Sequence, residues 1–404
     1  MNFTEGGVTA AKGFSASGIY CGIRKNKSKS DLALIFSSVP CSAAAVYTQN
    51  LVKGAPIQVT RKNIANGIAQ AVICNSGNAN TCNADGEQKA QMMCEAAAKE
   101  LGIQPDDVIV ASTGVIGQVL PIEPILTSAH ELVKALSPNG SVQAAKAIMT
   151  TDTEVKNLAV ELTVGGKTVH IGGIAKGSGM IHPNMATMLC FLTTDAAISA
   201  ETLDVALREA VNVSFNMVSV DGDTSTNDMT SILASGLAGN AEIQRDSADY
   251  KVFTAALTEL STALARKIAK DGEGATKLLV CNVTGAKSDE DARLAAKGVI
   301  CSSLFKAAMF GADANWGRVL CAIGYSGADT DINAVDVAFE SKAGRIDVCK
   351  NGAGIDFDED RAKEILTQDE INVDITLHDG TFGATAFGCD LTYDYVKING
   401  DYRT

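Results

Sequence analysis

"HPNMATMLCFLTTDA", residues 182 to 196, places a histidine, a proline and small residues ahead of Thr187. Behind that threonine runs an apolar segment that stops at Thr193, Thr194 and Asp195. Such a run, entered from the glycine-rich "AKGSGM" (175–180), reads as a buried strand with a hydroxyl at its mouth. Ser199 then N-caps a helix whose Leu203, Ala206, Leu207, Ala210 and Val211 keep i, i+3, i+4, i+7, i+8 spacing. A strand delivered straight into an amphipathic helix is the signature of an α/β layer, and the rest of the chain extends it.

Downstream, a longer helix spans roughly 247–270, with Phe253, Ala256, Leu257, Leu260, Leu264 and Ile268 inward and Lys267 and Lys270 in its last turn. It runs into "DGEGATK" (271–277) and a strand at 278–283, followed by a helix from Glu290 to Phe305. The last hundred or so residues alternate apolar and polar positions, and Asp379-Gly380 signals a hairpin turn. Upstream, strands are expected at 31–37, 43–48, 69–80 and 106–117, and a helix from Gly86 to Leu101 with Gly102 as its C-cap. The expectation is an α/β layered sandwich with a smaller strand-rich C-terminal lobe. There is no internal repeat.

Composition sets outer bounds. With 404 residues the chain exceeds one ordinary core, so two lobes or more are expected. Hydrophobic residues at 46% and charged residues at 20%, with 37 glycines against 7 prolines, indicate a globular chain rich in tight turns. A net charge of -13 offers no phosphate-neutralising surface, and the lysines of "RKNKSKS" (24–30) read as a solvated turn, so no nucleic acid is expected. The start carries no secretory pattern, and no apolar run is long enough to span a bilayer, which makes the cytoplasm the expected setting. The 11 cysteines lie largely in apolar runs such as "LLVCNV" and "AVICNS" and read as small core hydrophobes. Cys74 and Cys82 are too far apart for a CxxC pair, and the 4 histidines form no HExxH, so no metal site is expected.

Seven polar, glycine-punctuated stretches fall at strand ends: "CNSGNAN" (74–80), "ASTGVIG" (111–117), "MTTDT" (149–153), "AKGSGM", "DGDTSTND" (221–228), "DGEGATK" and "FGADANWGR" (310–318). Ligand sites are built from such loops, although any one alone is an ordinary turn. "AKGSG" does not satisfy the phosphate-loop pattern, and no GxSxG elbow occurs. A hydroxyl nucleophile without a histidine partner needs another base. One solution is a threonine that becomes a chain terminus, whose own α-amine, with an ordinary pKa of about 7.7–8.0, takes the proton. Spacing alone does not single out Thr187 for this.

Together, "KGSGMIHPNMATML", "ASTGVIG", "TTDT", "DGEGATK" and "GADANWGR", in that set and spread over nearly the whole chain, resemble the ornithine acetyltransferases, also called glutamate N-acetyltransferases, of the acetylated arginine-biosynthesis cycle. The resemblance implies an αββα-type fold shared with certain self-cleaving aminopeptidases. It implies self-cleavage between Ala186 and Thr187, giving an α chain of residues 1–186 and a β chain of 187–404. Residues 187–285 would complete the catalytic core, and about 286–404 would form the C-terminal lobe.

The resemblance further implies that Thr187 is the nucleophile and that Thr113 and Gly114 supply the oxyanion donors. Substrate contacts would come from Thr153, Lys176, Thr187, Glu273, Asn399 and Thr404, with Thr150 and Thr151 close enough to Thr153 to stand in for it. Lys176 would meet a substrate carboxylate and Glu273 an amine. His182 is expected to fix the loop rather than to act as a base. Transfer would run from N-acetylornithine to glutamate with no bound cofactor, acetyl-CoA being a candidate second acetyl donor, in an assembly of two α and two β chains. The rival chemistry is hydrolysis of the same acyl-threonine by water, as in an N-terminal-threonine amidase or aminopeptidase. A non-catalytic binding protein would keep the fold and lose the cut.

Overall fold

The computed structural model describes residues 1–182 and 188–401. Its architecture turns on one long strand, Leu32–Tyr47, where the sequence reads as two. A register shift between Phe36 and Cys41 bends the strand without ending it. Its first half pairs with Phe14–Ile19 and Ile68–Asn78, and its second half pairs with Met229–Ala234. One sheet of nine strands results, in the order Asn2–Thr4, Lys156–Val164, Lys167–Lys176, Leu189–Thr194, Met229–Ala234, Leu32–Tyr47, Ile68–Asn78, Val108–Val115, with Phe14–Ile19 attached to the long strand.

Side-chain alternation shows how this sheet folds over itself. Ala33, Ile35, Val72, Cys74, Ile109 and Ala111 from one half share a core with Ile174, Leu189, Phe191, Met229 and Leu233 from the other. The intervening residues point outward. Leu32, Leu34, Ile73, Val108 and Val110 pack under the helices Gly86–Leu101 and Ile122–Lys134, through Met93, Ala97, Ile125 and Leu132. On the opposite side Ile171, Cys190, Leu192 and Ile232 pack under Ala200–Val213 and Ala248–Lys270. The order helix, sheet, sheet, helix is the αββα sandwich. Each large apolar side chain buried this way contributes about 1.5–3 kcal/mol.

A second sheet of seven strands runs Ala353–Gly354, Gly344–Lys350, Asp336–Ser341, Glu370–Thr376, Leu278–Ala286, Phe382–Cys389, Val218–Ser219. The strand Leu278–Ala286, expected to help complete the first lobe, instead runs through this second sheet. Its neighbours Glu370–Thr376 and Phe382–Cys389 lie on either side of it, so the Asp379-Gly380 turn does not close a hairpin. Both turn residues donate their N–H to the carbonyl of Gly285, carrying the chain over the end of the interposed strand.

The helix expected from Glu290 to Phe305 is broken in two, Asp289–Cys301 and Ser303–Phe310. Ser302 is extended, and its hydroxyl caps the second helix by accepting from the Phe305 N–H. The helices at 86–101, 200–213 and 248–270 match their expected bounds, and Gly102 ends the first in the left-handed conformation. All eleven cysteines are free thiols, most of them buried. Among the described residues no helix is long and apolar enough to cross a membrane.

Candidate active site

Strand ends from both halves of the folded sheet converge on a cavity of about 150 Å3. Thr113, Gly114, Lys176, Glu273 and Asn399 all line it, joined by Thr150, Thr151, Gly179 and the segment Ser225, Thr226, Asn227. Five residues drawn from distant parts of the sequence thus share one small, largely polar space. Lys176 ends its strand opposite Leu189, the first residue of the strand that follows Thr187. Ala186, Thr187 and Thr404 lie outside the described residues.

Thr113 and Gly114 sit near the end of the strand Val108–Val115, which pairs in parallel with Ile68–Asn78. Gly114 has φ 132°, and a Cβ there would stand 2.4 Å from the carbonyl carbon of Gly77. Only glycine lets the two backbones approach so closely. Just before it, the Ser112 hydroxyl donates to Asn75 Oδ1 at 2.6 Å.

The threonine cluster divides. Thr150 and Thr151 line the cavity, whereas Thr153 donates both its N–H and its hydroxyl to the Asp271 carboxylate. Beneath them lies a buried ion network that sequence reasoning missed. Lys156 is fully buried and donates to Asp152 at 2.8 Å and to Asp271 at 2.5 Å. Asp152 also accepts from the N–H groups of Gly177 (2.7 Å) and Thr150 (3.0 Å), with Lys176 Nζ 3.9 Å away. Burial alone would raise the Asp152 pKa, but the charges of Lys176 and Lys156 outweigh it and hold the carboxyl well below the usual range. The network therefore fixes the "MTTDT" and "AKGSGM" loops to one ionised anchor.

The glycines of the second loop make room as well as turns. A Cβ on Gly179 would fall 2.3 Å from the Glu273 carboxyl carbon, so the carboxylate lies directly over this turn. Asn399, on the helix Tyr393–Asp401, donates to Glu273 Oε2 at 2.8 Å. Met180 is in the left-handed region at φ 56°, uncommon for a side chain of its size, and the N–H groups of Met180 and Ile181 both donate to the Asp221 carboxylate, at 2.6 and 2.9 Å. Tyr395 Oη reaches the same carboxylate at 3.3 Å. Asp221 thereby ties the turn that precedes Thr187 to the C-terminal helix.

His182 is held by its neighbours. Its Nδ1 lies 3.2 Å from Ser219 Oγ and 3.5 Å from Cys301 Sγ, and its carbonyl accepts from the Thr224 hydroxyl at 2.8 Å. Burial first, then the Lys297 charge, push its pKa down to about 4, against Asp221. A neutral, anchored imidazole suits a loop-fixing role. Asp228 is fully buried with Oδ2 unpartnered, and burial holds its carboxyl well above the usual carboxylate range despite Ser225 and Lys176.

The loop Asp221–Asp228 stood out in sequence only as one polar turn among seven. The ion network left no local pattern, because Lys156 and Asp271 are 115 residues apart.

The ArgJ family model matches residues 15–404. The arginine biosynthesis bifunctional protein ArgJ of Symbiobacterium thermophilum is 53% identical over 406 residues, covering 100% of both chains. The corresponding protein ArgJ 1 of Clostridium acetobutylicum is 50% identical over 398 residues, 98% of this chain and 97% of its own. A crystal structure of the arginine biosynthesis bifunctional protein ArgJ from Bacillus halodurans is 44% identical, covering 52% of this chain and 97% of that one, with a TM-score of 0.49. With a family match over nearly its whole length and relatives at half identity end to end, this chain belongs to the ArgJ family.

Proposed function

We propose that the chain transfers the acetyl group of N-acetylornithine to glutamate through an ester on Thr187, releasing ornithine and giving N-acetylglutamate. The observation that carries this is the single small cavity lined by an oxyanion-type turn (Thr113, Gly114), a cation (Lys176) and an anion (Glu273), at the entry to the strand that follows Thr187. An N-acetyl amino acid presents one carboxylate, one acyl carbonyl and, in ornithine, one amine, and the lining offers a partner for each.

Cleavage of the Ala186-Thr187 bond precedes transfer. The Thr187 hydroxyl attacks the Ala186 carbonyl, the C–N bond breaks to free the Thr187 α-amine, and water then hydrolyses the resulting ester to release the Ala186 carboxylate and restore the hydroxyl, with the amine left to serve as base. In the transfer itself Thr187 attacks the acetyl carbonyl, the developing oxyanion is met by Thr113 and the Gly114 N–H, and ornithine leaves. Glutamate then takes the acetyl group from the threonyl ester. Lys176 and Glu273 orient the two amino acids, Asn399 holds the Glu273 carboxylate, and Thr150 or Thr151 rather than Thr153 faces the substrate. Thr404 is a further proposed substrate contact. The mature assembly is two α and two β chains working in the cytoplasm, without a resident cofactor.

The curated relatives are named bifunctional, which supports acetyl-CoA as a second donor for glutamate. Synthesis of N-acetylglutamate from acetyl-CoA with no N-acetylornithine present tests that activity. Intact-mass measurement of denatured protein, before and after N-acetylornithine, tests the main one: two chains meeting at Ala186/Thr187, with one acetyl group added to the β chain only, are expected. A single unmodified chain from folded protein overturns it. Faster ornithine release in the presence of glutamate than in water alone separates transfer from hydrolysis.

A further inference from the structure

Asn227 lines the cavity, but neither end of its amide is available to a substrate. Its Nδ2 donates to the carbonyl of Ala79 at 2.6 Å and to the carbonyl of Ser112 at 3.0 Å. Its Oδ1 accepts from the hydroxyls of Thr81 and Thr226, both at 2.6 Å. Two donors and two acceptor sites are all that a primary amide has, so each is taken. Ser112 immediately precedes Thr113, and Ala79 N–H in turn donates to the carbonyl of Val115 at 2.9 Å, on the far side of Gly114. Asn227 therefore grips, directly on one side and through Ala79 on the other, the four residues Ser112 to Val115 that contain the oxyanion-type turn. Asn227 is 7% exposed, which makes its hydrogen bonds expensive to replace with water.

We propose that Asn227 is a positioning residue that sets the donor geometry of Thr113 and Gly114, acting from the β-chain side of the cut on a turn that belongs to the α-chain side. This rests on acetyl transfer through Thr187. Its consequence is kinetic: an oxyanion hole displaced by a fraction of an ångström loses transition-state stabilisation while ground-state substrate binding through Lys176 and Glu273 persists.

The variant Asn227→Asp keeps the shape but turns an acceptor oxygen toward the two carbonyls, while Thr81→Val leaves the amide in place and removes the Thr81 hydroxyl's bond to Oδ1 along with its longer contacts to the Ala79 carbonyl (3.2 Å) and the Thr226 hydroxyl (3.5 Å). Each is assayed with N-acetylornithine and glutamate, the rate expressed per cut chain as counted by intact mass. For Asn227→Asp, kcat is expected to fall about ten- to a hundredfold with KM for N-acetylornithine changing less than about threefold, and for Thr81→Val a smaller fall in kcat alone. Thr113→Ala added to Asn227→Asp should cost far less than it does alone, since both remove the same stabilisation. A rise in KM with kcat retained, or full additivity with Thr113→Ala, overturns the proposal. Folded but uncut Asn227→Asp protein supports it if Thr113→Ala is also uncut, and counts against it if Thr113→Ala cuts normally. Wild-type protein that transfers no acetyl group sinks acetyl transfer and this proposal together. An Asn227→Asp variant as fast as an active wild type sinks this proposal alone.

Discussion

Gly179 has no chemistry of its own, yet the Glu273 carboxylate occupies the space where its side chain would be. Gly179→Ala should therefore displace Glu273 and lower kcat/KM for N-acetylornithine by between about ten- and a hundredfold while the circular dichroism spectrum is unchanged. Lys156 poses the opposite case, a buried charge that satisfies two carboxylates at once. Lys156→Met leaves Asp271 without its buried cation and Asp152 with only Lys176, 3.9 Å away, and denaturant unfolding should show a loss of about 3–5 kcal/mol. His182 gives the protein a pH signature. Its pKa falls from 6.5 to about 4 on folding, so between those values the unfolded chain binds more protons. Stability should decline as pH drops through that window and level off below it, and His182→Gln should flatten the decline, read as urea midpoints at pH 7 and pH 5. These residues were unequally legible in sequence. Glu273 and Asn399 came from a resemblance to known motifs, not from spacing. Lys156 occupies an ordinary alternating position at the start of a strand, and nothing in its neighbourhood announces that its partner lies more than a hundred residues away.

Elements with a single period and a clear cap were readable. Helix Ala200–Val213 opens at Ser199, whose hydroxyl accepts from the Thr202 N–H as the N-cap pattern requires. The long strand Leu32–Tyr47 was not readable as one element, because Ser37, Ser38 and Pro40 interrupt the alternation where the ladder itself shifts register. The broken helix near Ser302 and the turn at Asp379-Gly380 failed for a related reason: local pattern announces a cap or a turn, but only tertiary pairing decides what the next element joins. The C-terminal helix Tyr393–Asp401 buries none of its residues and is held by Tyr395 on Asp221, Asn399 on Glu273, and the edge-on contact of Tyr393 with Phe310. A chain ending at residue 392 should keep a melting temperature within a few degrees of the full chain, since little apolar surface is lost. Its KM for N-acetylornithine should rise, because Glu273 loses the amide that orients it.

At the scale of the whole molecule, the helix Ala248–Lys270 is shared property. One side packs on the folded nine-stranded sheet and another on Leu278, Val280, Phe387 and Cys389 of the seven-stranded one. Two lobes joined through a common helix should unfold together. Trp316, the chain's one tryptophan, is partly buried and packs against the core of the second lobe, so its fluorescence reports that lobe. Its denaturation curve should coincide with the far-ultraviolet signal of the whole chain, whereas a separated tryptophan transition would mean that the lobes are energetically independent.

The strand Leu189–Thr194 lies between Lys167–Lys176, which precedes the proposed cut, and Met229–Ala234, which follows it. While the chain is continuous, this strand finds its place as part of one folding molecule. Once Ala186 and Thr187 are parted, neither fragment can complete the sheet by itself, and recovery after full denaturation becomes an encounter between two species. Its rate then depends on dilution, and its equilibrium on total concentration. The molecule would therefore fold only before it can act, and its persistence afterward would rest on slow unfolding rather than on a capacity to start again.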